Sequence, residues 1–106
     1  MKNLKISQIQ FEAKPTPQEN CAQLEKFYKR TIKFKPDLIC TPECSNIITN
    51  DKSHLYKYAN YQSNCPIIKM SKDFARKNKV NINIGSLLLK KKNQKKLVNR
   101  SFLIDK

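Results

Sequence analysis

A single glycine, Gly85, serves all 106 residues of this chain. Phosphate-cradling loops and dinucleotide-binding turns need several glycines so that backbone can close on a phosphate, and nucleotide-binding classes built on them are excluded. Long apolar runs are missing too. Nothing approaches the roughly 20 residues of a membrane span, and a soluble chain without a membrane partner is expected. Met1 to Gln10 holds neither a continuous apolar stretch nor a small-residue cleavage site, so no secretory leader is read and a cytoplasmic location is the expectation. Arginine is scarce: 19 of the 22 basic residues are lysine.

Lysine is what the chain has instead, and it sets a formal net charge of +14 against only eight acidic residues. The excess lies mostly in the second half: residues 54–106 carry 13 Lys/Arg and two Asp/Glu. A basic half suits nucleic acid or another anionic surface. Two features weigh against that reading. Lys, Asn and Ile together make 41 of the 106 residues, the skew of an AT-rich genome. The run Lys90-Lys91-Lys92-Asn93-Gln94-Lys95-Lys96 also lacks the arginines and interleaved aromatics that nucleic-acid readers use, and it reads as a solvated loop.

Cys21, Cys40, Cys44 and Cys65 could pair as disulfides in three ways, but without a secretory context a framework is disfavoured. Their spacing lacks the two close pairs of a zinc site, so no metal is expected and most are read as small core residues. Cys44 directly follows Glu43, which invites a nucleophile–base pair. Neighbouring strand residues point to opposite faces, so that pairing requires a sharp bend. His54 has no evident partner and reads as a loop residue.

Leu4 to Phe11 reads as a strand with Leu4, Ile6, Ile9 and Phe11 in the core. Thr16-Pro17-Gln18-Glu19 fits a capping box, with Pro17 at the first helical position. Cys21, Leu24, Phe27, Tyr28, Thr31 and Ile32 then recur on one face of a helix over 17–34, ended by Pro36. Residues 45–64 are polar and aromatic, with at most a short helix after Asp51, and would wall a site. Pro66 opens a second helix over 66–78, with Ile67, Met70 and Phe74 facing the core. Val80 to Leu89 and Leu97 to Ile104 read as an antiparallel hairpin around the lysine-rich loop, with Gly85 marking a bulge or a close backbone approach. The order of elements indicates one layered α/β domain, with both helices on the same face of the sheet.

Chemistry is best placed at Asp37-Leu38-Ile39-Cys40-Thr41-Pro42-Glu43. Leu38, Ile39 and Cys40 read as a core strand covered on both faces. Pro42 has no N–H for a ladder, so the strand stops there and Glu43 emerges beyond its carboxyl end, where ligands gather in open α/β sheets.

In this order the elements resemble the amino-terminal part of the nitrilase-like carbon-nitrogen hydrolases. Lys5-Ile6-Ser7-Gln8-Ile9-Gln10 is similar to the family's opening strand, Asn20 and the following helix to its first helix, and Asp37 to Glu43 to the strand that delivers its catalytic glutamate. Gly85-Ser86 and Asn99-Arg100-Ser101-Phe102-Leu103-Ile104-Asp105 resemble a later strand pair. Together with Pro42-Glu43-Cys44-Ser45-Asn46, these stretches look nearest to bacterial members grouped with deaminated glutathione amidases. The resemblance implies an α/β fold, namely a partial four-layer α-β-β-α sandwich, with residues 1–106 as the amino-terminal fragment of one domain. It also implies a glutamate, lysine and cysteine mechanism without a cofactor, acting on a small amide or nitrile, in a full-length protein that is a homo-oligomer. Glu43 takes the catalytic glutamate's place. The family lysine follows a Tyr-x-Lys segment that would begin near Lys106 and the nucleophilic cysteine comes later, so neither has a counterpart here and this chain alone is expected to be inactive. Asn99 is expected to support the site by bonding nearby backbone. The rival reading is a small basic nucleic-acid-binding protein using residues 69–106.

Overall fold

The computed structural model describes residues 3–106; Met1 and Lys2, the first residues of the segment read as lacking a leader, lie outside the described residues. Strand β1 (Ile6–Gln8) leads to helix α1 (Pro17–Thr31), whose last turn tightens into a 3-10 segment, Ile32–Phe34. Lys35 then adopts a left-handed φ of 52° and the chain turns into β2 (Leu38–Thr41). A short helix α2 (Lys52–Tyr58) and a longer α3 (Pro66–Asn78) precede the hairpin of β3 (Asn81–Lys90) and β4 (Leu97–Ile104).

The strands form one sheet in the order β1-β2-β3-β4, parallel through β3 and antiparallel at β4. Successive parallel strands added in one direction by right-handed crossovers put both crossover helices on one face. As expected, α1 and α3 share that face and touch. The Tyr28 hydroxyl meets the Ser71 hydroxyl at 2.9 Å, and the Tyr28 and Phe74 rings are 5.2 Å apart. Burial pushes the Tyr28 phenol up to about 12 while the bond to Ser71 opposes the rise.

Helices and sheet bury Leu24, Tyr28, Ile39, Ile67, Ile82, Ile84, Leu87 and Leu89 completely. Ile39 pairs with Ile82, and Thr41 with Ile84, so the helix-facing rows run across β2 and β3. The intervening row carries Ile6, Leu38 and Asn81 in register, with Ile6 52% exposed. This opposite face is bare. Leu103, in register with Asn83, is 74% exposed. The described residues therefore supply a helix layer and one sheet, the α-β half of the expected sandwich.

Three expectations need correction. β2 is covered on one face only: Ile39 and Thr41 are buried while Leu38 and Cys40 are half-exposed. β1 is three residues long, and Leu4 and Ile6 are exposed rather than in the core, because no second layer among the described residues lies against their side. Thr16 does not cap α1 through its side chain. Its hydroxyl donates to the Glu19 carboxylate at 2.8 Å, and its oxygen accepts no helix N–H among the described residues, although Pro17 does open the helix.

Candidate active site

β2 ends at Thr41, as Pro42 requires, and the chain turns through Glu43 and Cys44. Cys44 has a φ of 51°, a left-handed conformation uncommon outside glycine, asparagine and aspartate. Hydrogen bonds from the neighbouring strand hold it there. The Cys44 N–H donates to the Ser86 hydroxyl at 2.8 Å, and the Ser45 N–H donates to the Ser86 carbonyl at 3.1 Å. Ser45 in turn donates its hydroxyl to the Pro42 carbonyl and lies 3.1 Å from the Thr41 hydroxyl.

Ser86 reaches the turn because β3 bulges there. The pairing of β3 with β4 shifts between Ile84 and Leu87. At the bulge Gly85 lies directly against the end of β2: a Cβ at this position would stand 2.5 Å from the Thr41 carbonyl oxygen and 2.7 Å from the Pro42 carbonyl carbon. The two sequence readings of Gly85, bulge and close approach, are thus both met. The Gly85 N–H donates to the Thr41 hydroxyl at 3.3 Å, and the Ser101 hydroxyl donates to the Gly85 carbonyl at 2.5 Å.

Past the turn, two buried asparagines fasten the loop. Asn46 brackets Leu88, donating to its carbonyl at 2.7 Å and accepting from its N–H at 3.0 Å. Asn20, from α1, donates to the carbonyls of Asn46 at 2.7 Å and Lys14 at 2.8 Å, and accepts from the Lys14 N–H at 2.7 Å. His54 has a partner after all: its Nε2 lies 2.6 Å from the Pro15 carbonyl oxygen. Helix α2, whose amino end Asp51 caps, is therefore tied to the segment before α1.

Glu43 is exposed at the carboxyl end of β2. Among the described residues the one ion pair joins Arg76 to Asp73, and Glu43 makes none. No hydrogen bond joins its carboxylate to the Cys44 thiol among those residues, although the chain bends sharply here. Two of the other thiols, Cys21 and Cys65, are poorly suited to attack. Burial, with the nearby Glu25 and Cys65, pushes Cys21 up to about 11, and burial also raises Cys65, so both stay protonated at neutral pH. Among the described residues no three His, Cys, Asp or Glu side chains gather as a metal site. A groove of about 640 Å³ lies between α1 and α3, lined by Glu25, Met70 and Phe74 among others, and includes no residue of the turn.

The sequence reading placed Glu43 at a strand end but missed what holds it. Asn20 shares a helical face with Leu24 and Tyr28 at spacings of four, a signal that could have revealed it as buried. Asn46 and Ser86 act across more than 40 residues and left no local signal. The supporting role expected of Asn99 falls to others. Asn99 is exposed and makes no side-chain hydrogen bond among the described residues, while Ser101, two residues on, binds Gly85. The lysine run forms the exposed tip of the β3–β4 hairpin, and the Lys90 ammonium lies 5.8 Å from the Tyr61 ring centre.

A model of the carbon-nitrogen hydrolase family matches residues 5–106. No curated protein sequence matches the chain. Among solved structures, a CN-hydrolase superfamily protein from Xanthomonas campestris with an arsenic adduct in its active site superposes at a TM-score of 0.79 and 19% identity, over 99% of this chain and 37% of that one. A Saccharomyces cerevisiae member of branch 10 of the nitrilase superfamily also gives 0.79 at 19% identity, over 96% and 40%. A glutamate-to-glutamine mutant of the amidase from Nesterenkonia sp. AN1, bearing acrylamide on its active-site cysteine, gives 0.75 at 18% identity, over 97% and 40%. At such identities the likeness speaks for the fold, and the chain spans about two fifths of the length of these structures. With the family model running from Lys5 to Lys106 over that fold, the chain belongs to the carbon-nitrogen hydrolase family.

Proposed function

We propose that this chain carries the general-base part of a cysteine-dependent hydrolase of small amides or nitriles, with Glu43 as the base. The observation that carries the reading is a carboxylate without an ion pair among the described residues, standing at the carboxyl end of a parallel strand on a turn fastened by Ser86. A carboxylate in that setting is free to take a proton from a thiol. The resulting thiolate attacks the amide carbon, and a lysine steadies the negative charge on the carbonyl oxygen as it forms. Glu43 returns the proton to the departing amine, then takes one from the water that releases the acyl group from sulfur as the acid. The Nesterenkonia protein is an amidase whose active-site cysteine is reached by acrylamide, a small amide, and this supports that substrate class, although the Michael adduct itself forms at the alkene and not at the amide carbon.

Neither the lysine nor the nucleophilic cysteine of this mechanism matches a residue of 1–106, and groups that act as a unit fail as a unit, so the chain by itself is silent. Activity belongs to a protein of its relatives' length, read here as a cytoplasmic homo-oligomer. No helix among the described residues is long and apolar enough to cross a membrane.

Glu43→Gln in such a full-length protein is the test. Glutamine keeps the reach of the side chain but cannot accept the thiol proton, and loss of a general base costs about 10² to 10⁴ in rate. Turnover of small amides should fall by at least that much with the melting temperature unchanged. Wild-type turnover would remove Glu43 from the mechanism.

A further inference from the structure

We propose that Ser86 is the positioning residue for Glu43, fixing the direction of its carboxylate through the Cys44 peptide; the proposal rests on Glu43 being the general base. Three constraints converge on the turn. Before Glu43, the ring of Pro42 locks one backbone angle, and the end of β2 is pressed against Gly85. Beyond it, Asn46 clasps Leu88 and is itself held by Asn20. Between them lies Cys44, whose left-handed backbone costs about 1 to 2 kcal/mol for a residue with a Cβ. Ser86 is what holds it. Its hydroxyl takes the Cys44 N–H and its carbonyl the next N–H, at 2.8 and 3.1 Å.

Ser86 is 5% exposed, so water is poorly placed to replace a lost hydroxyl. Without that acceptor the Cys44 N–H loses its partner, and the strained conformation keeps only the neighbouring bond from Ser45 to the Ser86 carbonyl. The peptide between Glu43 and Cys44 has then lost its direct restraint and can rotate between the fixed ends of the turn, shifting the Glu43 side chain with it. A displacement of about 1 Å at a reacting group can cost roughly 10²-fold in rate. Ser86 makes no contact with Glu43 among the described hydrogen bonds and acts only through the turn.

The test uses the full-length protein with four variants: Ser86→Ala, Ser86→Thr, Glu43→Gln and, as a control for destabilisation alone, Tyr28→Phe in the helix layer. Turnover is expressed per titrated active thiol, and the pH dependence of thiol alkylation by iodoacetamide is followed in parallel. Ser86→Ala should lower kcat about 10- to 100-fold with KM within about threefold, and should move the alkylation profile toward that of Glu43→Gln. Ser86→Thr, which keeps the hydroxyl, should recover most of the loss. Tyr28→Phe should leave kcat per thiol unchanged. If Ser86→Ala fails to fold, the double variant Cys44→Gly/Ser86→Ala replaces it, because glycine removes the left-handed penalty without restoring the acceptor. Its kcat per thiol should still be low. Wild-type kcat per thiol in either variant, alongside a dead Glu43→Gln, would reduce Ser86 to a structural role and leave Glu43 as the base. An active Glu43→Gln would instead overturn the reading on which this one rests.

Discussion

Replacing Gly85 by alanine sets two effects of opposite sign against each other. Gly85 does not have a positive φ, so alanine can adopt its backbone conformation, and stiffening the unfolded chain would by itself stabilise the protein by about 0.4 to 1 kcal/mol. Packing opposes this. The new Cβ would stand 2.5, 2.7 and 2.8 Å from the Thr41 oxygen and the Pro42 carbonyl carbon and oxygen. All three are backbone atoms, so no rotamer change clears them, and β2 and β3 must separate by about 1 Å to reach ordinary contact. Separation strains three hydrogen bonds: Gly85 to the Thr41 hydroxyl, and Cys44 and Ser45 to Ser86. At about 1 kcal/mol each the loss is roughly 3 kcal/mol, leaving a net cost of about 2 to 3 kcal/mol. For a domain of this size each kcal/mol moves the melting temperature by about 4 to 8 °C, so a fall on the order of 10 to 20 °C is expected. Urea unfolding of wild type and variant, followed by circular dichroism, measures the difference directly. A midpoint equal to or above wild type would mean that the bulge yields freely and that the close packing of β3 on the turn constrains nothing.

Asn46→Ala should cost about 2 to 4 kcal/mol, because it strands both backbone groups of Leu88, and faster hydrogen exchange at the Leu88 amide would report the loss locally. The Tyr28 phenol is held near 12 in the folded protein against an ordinary 10. Its contribution to stability is therefore complete below pH 10 and disappears as pH rises from 10 through 12, a change on the order of 2 to 3 kcal/mol. Tyr28→Phe should flatten the pH dependence of urea unfolding in that window, and an unchanged slope would contradict the assignment. On the bare sheet face of the 106-residue chain by itself, Leu103→Glu should alter stability by less than about 0.5 kcal/mol while reducing binding of a hydrophobic dye, since this leucine is 74% exposed there.

What the sequence disclosed, and what it hid, divides by the range of the forces involved. Pro17, Pro42 and Pro66 mark boundaries through their own covalent geometry, and α1, β2 and α3 start or stop where they stand. The hairpin was equally legible, because alternation along Val80 to Ile84 is a local pattern. Alternation shows which residues share a face but not whether anything covers it, so Leu4, Ile6 and Leu38 were assigned to a core that these residues do not complete. Glu43 was found because proline placed it. Ser86, Asn46 and Asn20 were missed as its supports because their bonds depend on where β3 bulges against the end of β2 and how α1 lies beside the loop. Thr16 shows the same limit at short range: the motif is present and its two side chains meet, but the threonine oxygen does not reach a helix N–H.

The left-handed backbone of Cys44 has a consequence for what the position can become. A survey of all substitutions there should sort by stereochemistry before it sorts by reactivity. Glycine, asparagine and aspartate should be accepted, while valine, isoleucine, threonine and proline should be rejected, whatever they do to the thiol. A cysteine beside the proposed general base invites the idea of a spare nucleophile, yet what the fold demands of this position is a peptide angle. Residue 44 is a hinge pin, and its sulfur is incidental to it.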